Sequence, residues 1–313
     1  MKLNRQLVWA CVALAVALIF PLILGGFTVT LATEILIFGI FVSGVNLLLG
    51  YTGLVPLGNA MFLGMGAYGI GVFANLLGWS LWLAIPATLL TVLVLATVIG
   101  IICTRTRDVE FLLITLAFGQ MFYGAAIKTK ATGGSDGLPG IARPDFSLIN
   151  INVVADTGFY YLVLAVAVAM LLIFWRLIHS PFGSVLVGIR ENEKRMISMS
   201  YAVSYYKTGA FVIAALYAAV AGILSAQHTH FVSPEIMNWQ IGGEAVLMVI
   251  IGGRRYVLGG ILGAGIFIVV KYGLSRLTQD YLIFFGLFFM LCVAFLKDGI
   301  IGLCVGLRKR VRA

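Results

Sequence analysis

The sequence predicts an all-α integral membrane protein with about ten transmembrane segments. Three observations carry that reading. Of 313 residues, 61% are apolar (AVILMFWYC) and 11% are charged, against about half and about one quarter in a soluble domain. The apolar residues come in runs close to the ~20 residues that cross a bilayer as a helix. The basic residues that give the net charge of +9 fall mostly on one side of those runs.

Taken in order, the runs are 7–27, 30–49, 59–77, 79–103, 109–127, 159–178, 208–226, 241–253, 257–273 and 281–297. Lys2 and Arg5 precede the first, which is unbroken from Leu7 to Leu24. It exceeds the ~7–15-residue core of a signal peptide, and Gly25-Gly26-Phe27 is a poor cleavage site, so it reads as a membrane helix. Stretch 50–77 is rich in glycine and leaves room for a partly re-entrant segment. Run 241–253 is short for a crossing and suggests a broken or tilted helix. Ten crossings return the chain to the side where it began. Of the 21 Lys and Arg residues, all but Lys128, Lys130, Arg143, Lys271 and Arg276 then share a side with the termini. The positive-inside rule makes that side the cytoplasm. The charge is thus a topology signal rather than a nucleic-acid footprint, and the basic tail 298–313 reads as an anchor near anionic membrane lipid.

Two stretches are polar enough to be loops, and neither is long enough for a soluble module, so 1–313 is one transmembrane domain. The outer loop, about 128–158, contains Thr132, Gly133, Gly134, Ser135, Asp136 and Gly137, dense in turn formers. The cytoplasmic loop, about 179–207, opens on a helix stop and restart at Ser180-Pro181-Phe182-Gly183. It goes on through Ile189, Arg190, Glu191, Glu193, Lys194 and Arg195. Glu191 lies four residues before Arg195, an arrangement that favours a short charged helix, either a docking element for a soluble partner or a solvated loop. Gly64–Tyr68 and Gly259–Gly265 share a glycine pattern that is compatible with two duplicated halves.

Catalytic and cofactor motifs are missing from the sequence. Gly64, Gly66 and Gly69 match G-x-G-x-x-G, yet no strand signal precedes them and no acid follows at the right distance, so they read as helix packing or a helix break beside a path. There is no P-loop, no H-E-x-x-H and no G-x-S-x-G. Cys11, Cys103, Cys292 and Cys304 have no metal-ligand spacing and read as small apolar fillers. His228 and His230 fall in the loop after the seventh run and read as interfacial. Three acids, Glu34, Glu110 and Glu244, lie in or beside apolar runs, where a carboxylate is costly and often functional. All three are also compatible with helix-end acids.

An ordered series of motifs completes the reading. It runs through Leu112–Met121, Thr132–Leu138, Ser180–Gly183 and Ile189–Glu193, then Lys207–Val212, Ala219–Leu224, Ser233-Pro234, Gly243-Glu244 and Met248–Gly253. This series resembles the permease subunits of ABC importers for branched-chain amino acids, the longer of the two permeases in particular. The resemblance implies a periplasmic or lipid-anchored binding protein, a second permease subunit, and two cytoplasmic ATPase subunits that carry the ATP and Mg. This chain would bind no cofactor, catalyse no reaction and sit in the bacterial inner membrane. Residues Pro181 to Arg195 would hold the coupling helix, with apolar contacts such as Ile189 reaching the ATPase. A path is expected near Gly64, Gly66, Tyr68, Gly242, Gly243 and Glu244, where helix breaks expose N–H groups for an α-carboxylate and an acid for an α-ammonium.

The chain departs from the family pattern at Pro56, Asn59, Arg254-Arg255-Tyr256 and Lys297-Asp298-Gly299. These departures leave a urea or short-amide importer as the alternative substrate class. An ion-coupled secondary carrier would need more intramembrane charge.

Overall fold

In lipid every backbone N–H and C=O has to be satisfied within its own segment, so apolar runs fold as helices. A computed structural model of the chain describes residues 17–18, 21, 25–106, 108–144, 155–277, 280–295 and 299–302. The expected first span 7–27 and the basic tail 298–313 lie almost wholly outside the described residues.

Helix α1, Phe27–Asn46, runs on through a wider π turn, Leu47–Thr52, and stops at Gly53, whose φ of 82° is left-handed. A single 3-10 turn, Leu57–Asn59, leads into α2, Ala60–Ile70, which ends in a second π turn, Gly71–Leu76. Then follow α3, Leu81–Cys103, α4, Asp108–Lys128, and α5, Asp156–Ile178. Two short helices come next, α6, Pro181–Glu191, and α7, Glu193–Ser198. The chain continues as α8, Val203–Thr229, α9, Trp239–Gly252, α10, Gly259–Leu277, and α11, Tyr281–Phe295. Strands β1, Leu138–Pro139, and β2, Phe231–Val232, form one small antiparallel pair.

Seven of these segments are long and apolar enough to cross a membrane: Phe27–Thr52, Leu57–Leu76, α3, α4 from Val109, α5, α8 and α10. Short run 241–253 is the 14-residue helix α9. It is broken from α10 at Gly253, whose φ is 113°. In stretch 50–77 the helix is interrupted at 53–56, and Leu57–Leu76 is long and apolar enough to cross a membrane. The glycines are there for contact. A Cβ on Gly58 would meet the Thr115 carbonyl at 1.8 Å, and one on Gly66 would meet the Ala219 carbonyl at 2.2 Å. Small residues thus set the turn before α2 directly against the backbone of α4, and α2 itself against that of α8.

The apolar windows of Phe27–Thr52, Leu57–Leu76 and α8 are each 67% buried, whereas those of α3, α4, α5 and α10 are 17–28% buried. The first three therefore form the centre and the others surround it. Helix α2 packs on α8, α8 on α1 and α3, and α1 on α10. The surrounding helices leave Leu83, Leu90 and Val94 on α3 and Leu172 and Ile173 on α5 exposed, an apolar surface suited to acyl chains. His228 lies in the last turn of α8 rather than in a loop, and His230 ends that helix with a left-handed φ of 55°.

Candidate functional site

Three regions gather the polar residues, and the first is the α6–α7 segment. The Ser180 hydroxyl accepts from the Gly183 N–H at 3.4 Å, and Pro181 occupies the first turn, where its missing N–H costs nothing. A Cβ on Gly183 would meet the Ile178 carbonyl at 2.4 Å, so glycine permits the sharp turn from α5. Asn192, extended at φ −159°, stops α6, and its side chain caps α7 by accepting from the Arg195 N–H at 2.9 Å. Phe182 stacks on Tyr206 at 5.6 Å.

Ile189 is buried at 3% exposure, so the apolar contact expected of it with a partner is made inside the chain instead. Arg190 also turns inward. Its guanidinium donates to the Gly50 carbonyl in the final turn of the Phe27–Thr52 segment and lies 3.8 Å from the Glu191 carboxylate. Gly53 makes room for it, since a Cβ there would meet Arg190 Cγ at 2.7 Å. Glu193 binds Lys207 of α8 at 2.8 Å, a cation that is itself buried. Glu191, Lys194 and Arg195 remain exposed, next to exposed Ile197, Met199 and Tyr205. Nearby, the link between α9 and α10 is tied to the same end of the Phe27–Thr52 segment. Asn46 donates to the Tyr256 carbonyl at 3.1 Å, and Tyr51 donates to the Arg255 carbonyl at 2.8 Å.

The second region is the loop after α4. Gly133, Gly134 and Gly137 all have left-handed φ values, 78°, 57° and 77°. A Cβ on Gly133 would meet the Gly137 carbonyl at 1.9 Å, so the loop closes on itself in a way that only glycine allows. Thr132 donates to the Thr129 carbonyl, and Ser135 donates to Asp136. Ser135 and Asp136 are exposed, while the β1–β2 pair fastens the loop to the α8–α9 link. Arg143 caps the far end of α8, donating to the Gln227 carbonyl at 3.2 Å and pairing with Asp156 at 2.9 Å. A cation there complements the negative end of the helix dipole.

The third region is a cavity of about 250 Å³ between α1, α9 and α10. Its polar side holds Glu34, Glu244, Lys271 and Tyr272, and its apolar side holds Phe38, Met248 and Phe267. Lys271 lies 3.2 Å from one Glu244 oxygen and 3.4 Å from the other. The Tyr272 hydroxyl donates to Glu34 at 3.0 Å. Glu34, Glu244 and Lys271 each sit roughly 8–10 Å along the helix axis from the nearer helix end.

Of the six expected path residues, the cavity takes Glu244 alone. Gly64 faces Met237, Gly66 faces the Ala219 backbone, and Gly242 faces the Leu57 carbonyl, which a Cβ there would meet at 1.9 Å, all in close contact. Gly243 has open space beside it. The Tyr68 hydroxyl is buried without a hydrogen-bond partner among the described residues. Lys271 and Tyr272 escaped the sequence reading, where Lys271 counted only as an outer-side charge. The usable signal was a lysine inside an apolar run, the same one that marked Glu34 and Glu244.

The sequence is similar to known permeases. The family profile described as "Branched-chain amino acid transport system / permease component" matches residues 27–295. The high-affinity branched-chain amino acid transport system permease protein LivM of Escherichia coli (strain K12) is 28% identical over 299 residues, covering 88% of this chain and 70% of that protein. LivM of Salmonella typhimurium is 27% identical with the same coverage. Among solved structures, PsaBC from Streptococcus pneumoniae in complex with Fab aligns over 88% of this chain and 94% of that one, with a TM-score of 0.44 and 17% identity. The profile spans nearly the whole described bundle, from the start of α1 to the end of α11, and the chain therefore belongs to the branched-chain amino acid transport permease family.

Proposed function

We propose that this chain is the permease subunit of an ABC importer that carries branched-chain amino acids across the bacterial inner membrane, driven by ATP hydrolysis on separate subunits. The family match over residues 27–295 carries this reading. A second permease, two cytoplasmic ATPases and an external binding protein complete the machine. ATP and Mg stay on the ATPases. The α6 end of the bundle faces the cytoplasm, as do both termini.

The geometry of α6 and α7 supports the coupling role. Their outer face offers Glu191, Lys194 and Arg195 together with apolar Ile197 and Met199. That mixture of a polar rim and apolar contacts suits a docking surface. The inner face is anchored by Arg190 to the end of the Phe27–Thr52 segment. A push on α6 therefore bears on the same continuous helix that carries Glu34 at its other end.

Reconstitution of the four kinds of subunit in liposomes tests the reading. Leucine, isoleucine or valine should enter only with binding protein outside and ATP at the ATPase side. Uptake of urea in place of amino acids would move the chain to the alternative substrate class. Uptake driven by an ion gradient without ATP would replace the ABC reading with a secondary carrier.

A further inference from the structure

The cavity between α1, α9 and α10 has an apolar side and a charged side; Glu34 and Lys271 lie in helices long enough to cross a membrane, and Glu244 lies in the shorter apolar helix α9. Lys271 and Glu244 keep 38% and 28% of their side-chain surface exposed. Against acyl chains that exposure would be costly. Charged side chains in membrane helices face protein or a water-filled space. The α1–α9–α10 face is therefore not a lipid face, unlike those of α3 and α5.

We propose that this cavity is a subsite for the free amino acid as a zwitterion, a proposal that rests on the permease reading above. The α-carboxylate is held by Lys271, and the α-ammonium is held by Glu244 with Glu34 beside it. The side chain lies against Phe38, Met248 and Phe267. Two physical arguments favour this occupant. In the empty site Lys271 and Glu244 neutralise each other. A zwitterion separates them and gives each a new partner of opposite charge, so neither is left unpaired during the exchange. A ligand with a single charge could not do this. Second, a small cavity with few polar groups grouped at one side and apolar walls at the other matches an amphipathic small molecule. Tyr272 donates to Glu34 and holds that carboxylate in place, which makes it a positioning residue. The site breaks and forms ion pairs without covalent chemistry, so it can load and release as α1 moves.

The test uses the complete transporter in liposomes, with labelled leucine delivered by its binding protein and uptake counted per assembled complex. Charge-assisted hydrogen bonds of this kind set the scale, so Lys271→Gln and Glu244→Gln should each lower uptake by about tenfold or more. Lys271→Arg should retain most of it. The double exchange Glu244→Lys with Lys271→Glu should not restore uptake, because the polarity of the site is then reversed beside Glu34. Ser275→Trp fills the cavity from its exposed rim without touching either charge and should also block uptake. Wild-type uptake in the single variants, or recovery in the double exchange, would overturn the subsite and leave a structural ion pair. Loss of the second permease from the purified Lys271→Gln complex would make the face a subunit contact and would overturn it equally. If the unaltered transporter carries no branched-chain amino acid, the permease reading itself fails and the subsite falls with it.

Discussion

Among the described residues, two lysine–glutamate pairs differ in kind. Lys207 and Glu193 join α8 to α7 at 2.8 Å, with the lysine side chain 3% exposed. Lys271 and Glu244 join α10 to α9 at 3.2 Å and border a cavity. The chemistry is the same, but the first lysine is enclosed by protein and the second opens on space. The enclosed lysine fixes one geometry, because Lys207 without Glu193 would be a stranded buried charge. A pair beside a cavity can change partners. The first suits a rigid coupling element, and the second suits a site that must let go.

The contrast predicts a graded series. Glu193→Gln strands the buried Lys207 and should cost about 3–5 kcal/mol. The purified complex should then show a clearly lower apparent melting temperature, and an unchanged one would remove the distinction between the pairs. Arg190→Ala leaves the Gly50 carbonyl without its donor and should cost about 1–3 kcal/mol. ATP hydrolysis should also become less responsive to the loaded binding protein, a readout that stability alone would not move. Glu244→Gln should cost only about 1 kcal/mol or less in stability, because its pair is partly exposed, while uptake collapses. A thermal shift as large as that of Glu193→Gln would erase the difference drawn here. Lys194→Glu with Arg195→Glu should change stability by under about 0.5 kcal/mol. ATPase co-purification should fall nonetheless, and full retention would place the docking surface elsewhere.

The helices were legible where the apolar period was uninterrupted. Runs 79–103 and 109–127 match α3 and α4 closely because apolar residues dominate them almost from end to end. Lys207 reads as loop composition, which puts the start of that run at 208 rather than at Val203. Its charge is neutralised by Glu193, so the helix begins at Val203. The glycines of Gly259–Gly265 suggest a duplicated half, and in the structure Gly263 approaches the Met248 carbonyl. In 50–77 the same signal suggested a break, since glycine spacing alone does not separate close packing from an interrupted helix. The candidate site was half visible. Glu34 and Glu244 stood out as acids in apolar runs, but nothing local said that they share a cavity with Lys271. Ile189 and Arg190 looked like surface residues because a short amphipathic helix carries no mark of which face it buries.

The sequence by itself determined that this is a membrane-embedded helical permease of a known family. Hydrophobic run length, charge sidedness and ordered motifs are one-dimensional properties that the bilayer reads directly. Tertiary structure alone decided which charges are enclosed and which are open. Lys207 finds Glu193 14 residues away and Lys271 finds Glu244 27 residues away. Arg190 reaches across 140 residues to a backbone carbonyl. Ion pairing between helices depends on how they cross, and crossing is set by the glycine contacts and packed side chains of the whole bundle.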